Sequence, residues 1–188
     1  MKRLAIVAVM VYLGVAAVYP QARPVKMTFS GTSAPSTIDL QQPDTRNDED
    51  NFAGNGTLGS FTLRDVRAIA NSPTPSDTCS GPNLLYVTES AGGGVFRFQD
   101  GSLLILRLTQ GSDCIDFAAV KAHCTVTFEI TGGTGRFKNA SGTLTFTETV
   151  VPVLAVGSGN PVLSAASGEF EGTVHGMARE EEAQGEQQ

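Results

Sequence analysis

Charge is scarce in this sequence, and positive charge is the scarcer kind. Charged residues make up 17% of its 188 positions, 13 of them lysine or arginine against 19 aspartate or glutamate, for a formal charge of −6. No basic stripe is present, so a phosphate backbone would be repelled and nucleic-acid binding is excluded. The two histidines, His123 and His175, have no spacing that suits a metal site or a catalytic triad. No nucleophile motif is intact: Gly157-Ser158-Gly159 is a fragment of G-x-S-x-G without a strand-turn-helix context. The sequence therefore offers no catalytic residue, no metal site and no cofactor. It leans away from an enzyme.

Only three cysteines occur. Lys2 and Arg3 precede an apolar stretch, Leu4 to Tyr19, with small residues at Val15, Ala16 and Ala17 that suit cleavage after Ala17. The stretch is shorter than the roughly 20 residues a spanning helix needs. Residues 1–22 read as an export signal with a short linker; a short uncleaved anchor is the alternative. The protein is thus expected outside the cytoplasm, secreted or in the periplasm or cell envelope, with no further membrane association. A disulfide is expected in such a compartment. Cys114 and Cys124 flank one short connection and are the favoured pair, while Cys79 with either of them stays open. Zinc at Cys114, His123 and Cys124 is disfavoured, because adjacent strand residues point to opposite faces.

What is abundant is glycine, at 21 residues, with many threonines and serines. Val25, Met27 and Phe29 alternate with polar neighbours, as do Val126, Phe128 and Ile130, and again Leu144 and Phe146. Period two is the signature of half-buried strands. Further strands are expected over 57–69 (with a bulge near Asp65), 83–90, 95–99, 102–109 and 163–174, with Gly92–Gly94 as a turn. Asp100-Gly101 is a hairpin turn. The 102–109 strand is apolar on both faces, which predicts a central or covered position. Residues 33–51 and 71–82 read as exposed loops, 151–161 as another loop, and 177–188 as a disordered charged tail. Residues 23–176 form one all-β domain, a closed antiparallel barrel of about eight strands, with a β-sandwich as the runner-up.

Gly132, Gly133, Thr134, Gly135, Arg136 and Phe137 form the most specific stretch. A phosphate cradle would need a helix N-terminus behind it, and a strand follows instead. The physical reading is a tight connection whose glycines take positive φ, with Phe137 tucked under the barrel end. GGTGRF followed by Ala140-Ser141-Gly142 resembles the signature of the allene oxide cyclase–dirigent barrel superfamily, and Gly168–Val174 resembles the closing strand of bacterial sequences with that pattern. The resemblance implies an eight-stranded barrel that holds a small apolar molecule. It carries no active residue across.

Parity supplies one candidate pocket. Glu148 shares a face with Leu144 and Phe146, and Asp65 and Arg67 share one with Phe61, Leu63 and Ile69. A buried carboxylate near an arginine would have leverage on a ligand; against it, a bulge would turn Asp65 outward and Glu148 would sit at a wet rim. The function expected is an exported barrel that binds a small apolar ligand or acts at the envelope. A cyclase or dirigent-type enzyme and an extracellular interaction protein are the alternatives.

Overall fold

The computed structural model describes residues 22–157 and 159–178. Eight antiparallel strands follow one another in chain order: β1 (Arg23–Pro35), β2 (Thr45–Gly56), β3 (Phe61–Ala70), β4 (Leu84–Phe98), β5 (Leu103–Asp116), β6 (Lys121–Gly133), β7 (Ser141–Ala155) and β8 (Pro161–His175). Each pairs with the next, and β8 pairs back onto β1 from Arg23↔Val174 to Ser33↔Ser164. The sheet is closed, so no edge is exposed. The expected signal at 1–22 and tail at 177–188 lie almost wholly outside the described residues.

The strand directions give the barrel two unlike ends. Connections 57–60, 99–102 and 134–140 gather at one end, together with the start of β1 and the finish of β8. That end is closed. Phe61, Phe98, Phe137, Leu58, Leu104 and Val174 fill it, all buried. Connections 36–44, 71–83, 117–120 and 156–160 gather at the other end.

The 132–137 motif seals the closed end. Gly132 and Gly135 have φ of +143° and +55°, and a Cβ on Gly135 would lie 2.4 Å from Ser102 Oγ. The short 3₁₀ turn Gly135–Phe137 sets Phe137 4.8 Å from Phe98. Arg136 stacks on Phe98 and Phe137, pairs with Asp100 at 3.1 Å and donates to the Leu58 carbonyl at 2.5 Å. One side chain so ties three connections together.

Several expectations are corrected. Residues 33–51 are not one exposed loop: β1 continues to Pro35 and β2 begins at Thr45, with Asp50 fully buried. Charged residues on both faces of β2 hide its period. Gly92–Gly94 lie inside β4, not in a turn, where a Cβ on Gly94 would lie 2.6 Å from Asp65 Cβ. β3 starts at Phe61, and its bulge is at Ala68/Ile69 rather than near Asp65. β5 is central, paired with β4 and β6, but not covered outside, since Ile105 is 40% exposed. Residues 151–155 extend β7.

The disulfide joins Cys79 to Cys114, and Cys124 is a buried free thiol. The favoured Cys114–Cys124 pair fails on geometry: Cys114 sits opposite His123, so the Cys124 side chain points to the other face of the wall. Among the described residues no helix is long and apolar enough to cross a membrane.

Candidate functional site

Inside the barrel the phenylalanines form a continuous stack. Phe29 lies 4.5 Å from Phe52 and 5.2 Å from Phe146, and Phe170 lies 5.1 Å from Phe146. Above this stack the lining changes character at once. The Arg67 guanidinium rests 5.2 Å from the Phe146 ring centroid, apolar below and acidic around.

Five carboxyls are buried around or beside it: Asp50 on β2, Asp65 on β3, Glu89 on β4, Asp113 on β5 and Glu148 on β7. Strand register assembles them. Asp50 sits opposite Asp65, Asp48 opposite Arg67, and Cys124 opposite both Asp113 and Glu148. Glycine makes the room: a Cβ on Gly111 would lie 2.6 Å from Glu89 Oε2 and 2.8 Å from its Cβ.

Arg67 divides its donors among these groups. Nη1 donates to Glu89 Oε1 at 2.7 Å; Nη2 donates to Asp50 and reaches Glu148 Oε2 at 3.4 Å. Its Nε lies 3.9 Å from Asp65 Oδ2. Burial works against the guanidinium charge, but Asp50, Glu89, Asp65 and Glu148 more than restore it, so Arg67 stays protonated.

One cation cannot balance this many carboxylates. Burial, with repulsion from Asp50, pushes the Glu148 carboxyl up to about 8 despite Arg67. Asp65 and Glu89 are also driven well upward, by burial first, then by Asp50 for Asp65 and, against the pull of Arg67, by Asp113 for Glu89. Asp48, nearer the opening, rises to about 6 through burial, with Arg46 and Arg67 opposing. Burial also raises the Cys124 thiol, so it is a protonated, poorly nucleophilic group.

Above this layer the barrel is hollow. A cavity of about 650 Å³ opens at the 117–120 and 156–160 connections. Arg67, Asp113 and Cys124 lie at its floor, Ile69, Ile115 and Val150 on its walls, and Phe117 and Val120 at its exposed lip. The combination is an apolar chamber with a few convergent polar groups, in the size range of small-molecule sites.

The three residues singled out by parity, Glu148, Asp65 and Arg67, come together in the buried layer beneath the cavity, and of the three only Arg67 lines the cavity itself; neither the flipped Asp65 nor the wet Glu148 occurs. Gly132–Phe137 lie at the opposite end, away from the cavity. Asp48, Asp50, Glu89 and Asp113 were not anticipated. Their signal was acidic residues two apart in β2, and a carboxyl in step with Val87 on β4 and with Gly111 and Ile115 on β5. Among the described residues no three histidine, cysteine or acidic side chains are grouped to hold a metal ion.

No protein-family profile matches the chain. No curated protein matches it either. Among solved structures it is similar to a pterocarpan synthase dirigent protein, at 9% identity over 87% of this chain and 90% of that one, with a TM-score of 0.43. So loose a likeness carries no chemistry across.

Proposed function

We propose that the protein is an exported barrel that binds a small molecule with an apolar body in the open-end cavity. The observation that carries this is the cavity itself: a chamber of about 650 Å³ with aliphatic walls above a polar floor, in a barrel otherwise filled by side chains. Burying an apolar body there gains free energy at about 25 cal/mol per Å², and the floor groups fix its orientation. Export is supported by the Cys79–Cys114 disulfide, which belongs to oxidising compartments. Distant membership of the allene oxide cyclase–dirigent superfamily is supported by GGTGRF…ASG, whose Arg136 and Phe137 close the barrel.

A thermal-shift screen of lipids, terpenoids and phenolics tests the reading. The expected hit raises Tm in the full chain and fails to do so in Ala122→Trp, where an indole occupies the cavity wall. Stabilisation by none of them, or stabilisation that survives Ala122→Trp, overturns it. Mass analysis of the processed protein tests export, with a first residue just after Ala17 expected.

A guiding enzyme is the second reading, favoured by Arg67 and Asp113 at the cavity floor, where charge and a proton acceptor meet the bound molecule. Asp113→Asn should then lower turnover with little change in binding.

A further inference from the structure

The open-end cavity has a charge preference that its apolar walls do not reveal. Resting on the cavity reading above, we infer that its ligand is an organic cation: a protonated amine on an apolar body, whose ammonium group is received by Asp113.

The inference begins from the distribution of partners. Four of the five buried carboxyls lie within 4 Å of Arg67, and the fifth, Asp113, forms no ion pair among the described residues. Asp113 is 4% exposed, its Oδ1 has no hydrogen-bond partner, and it lines the cavity. A buried carboxyl oxygen left without a donor is costly. Asp113 has two close neighbours: Glu89, whose carboxyl it adds to burial in driving upward, by repulsion and a side-chain hydrogen bond, and Cys124, whose S–H is a weak donor; neither satisfies Oδ1. Asp48 borders the same space, and its ion-pair partner Arg46 is 3.9 Å away, close to the limit of such contacts.

Alternatives fail on the same geometry. An anionic ligand would find Arg67 taken by Glu89, Asp50 and Glu148 and Arg46 facing Asp48. The remaining cation of the lining, Lys121, is half-buried next to the 117–120 connection, opposite Asp116, and would hold an anion at the mouth rather than at the floor. A metal ion needs several ligands converging on one point, and none converge here among the described residues. A neutral alcohol can donate one hydrogen bond to Asp113 but brings no charge to an acidic layer. An ammonium brings three donors and a positive charge. The aliphatic walls at Ile69, Ile115 and Val150 require that the charge be carried on an apolar body.

Calorimetric titration of the full chain with three matched probes, 2-phenylethylamine, 2-phenylethanol and phenylacetate, tests this at pH 7. The amine is expected to bind at least about tenfold tighter than the alcohol, the margin of one charge-assisted hydrogen bond, and the acid weakest. In Asp113→Asn the amine should fall to the affinity of the alcohol, while the alcohol changes less than about twofold. Asp113→Ser serves as the second variant, with the same expected loss. Equal binding of amine and alcohol overturns cation selectivity and leaves the cavity reading standing. Amine binding that survives Ala122→Trp places the site elsewhere and overturns both. Tighter binding of magnesium or calcium alone than of the amine overturns the organic cation, as does failure of all three probes.

Discussion

The two ends of this barrel are made of the same wall and filled by opposite means. At the closed end, phenylalanine side chains meet one another and three connections are clasped by Arg136. At the open end, carboxyls surround Arg67 and a cavity of about 650 Å³ lies above them. Apolar contact is non-directional and insensitive to pH. A buried layer with more carboxyls than cations holds together only while several keep their protons. One end is therefore fixed by packing and the other by protonation.

Removal of a member from each layer separates these behaviours most strongly. Phe170→Ala, at a fully buried ring within 5.1 Å of Phe29, Phe96 and Phe146, should cost about 3–5 kcal/mol in urea unfolding, by similar amounts at pH 5 and pH 8. Arg67→Met should cost about 3–5 kcal/mol at pH 8, where the carboxyls lose their counter-charge, and clearly less at pH 5, where they take up protons. Equal losses at both pH values for Arg67→Met would show that the guanidinium acts there as packing alone.

The Cys79–Cys114 bond pins the 71–83 connection to β5 near the open end. Cys79→Ser with Cys114→Ser should cost about 2–4 kcal/mol, seen as a lower Tm. The same loss should be produced by reducing agent in the parent and no further loss in the variant; an additional drop would implicate Cys124.

In the unmodified chain, stability should fall as pH rises. The folded Glu148 holds its proton up to about pH 8, against an ordinary value of 4.5. Folding is favoured fully below about 4.5, and that advantage is lost as pH climbs through about 8. Asp48 acts in the same direction between its ordinary 3.8 and about 6. Each contributes at most about 1.4 kcal/mol per pH unit within its window. A midpoint that rises from pH 5 to pH 8 would contradict this assignment. The smallest effect is expected from Asp113→Asn without ligand, within about 1 kcal/mol of the parent or slightly stabilising, because it removes one of too many carboxylates; a larger loss would mean Asp113 holds the layer together.

The same contrast explains what could be read from the chain. Where the lumen is apolar, hydropathy alternates, and Val25–Phe29, Val126–Ile130 and Leu144–Phe146 announce themselves as strands. Where the lumen is charged, Asp48 and Asp50 alternate with Glu49 and Asn51, hydropathy shows no contrast, and β2 was invisible. Gly92–Gly94 read as a turn because glycine's local preference is loose, whereas Gly92 and Gly94 lie against Arg67 and Asp65 and Gly93 against the Leu106 carbonyl, with no room for a Cβ. Parity alone reached Asp65, Arg67 and Glu148, since each shares a strand with recognisable core residues. Glu89 and Asp113 keep the same parity with Val87 and Ile115, but that they and Asp50 gather in one layer is set by the pairing of strands, which hydropathy does not show. The Cys114–Cys124 pairing fails because proximity along the chain says nothing of which side of a sheet a sulfur occupies.

Because β1 begins at Arg23 and β8 finishes at His175, both at the Phe137 end, anything joined directly to either residue emerges opposite the cavity. A cargo domain, an affinity label or a sensor chip joined there would leave the entrance facing bulk solution, so immobilised and free protein should give the same dissociation constant.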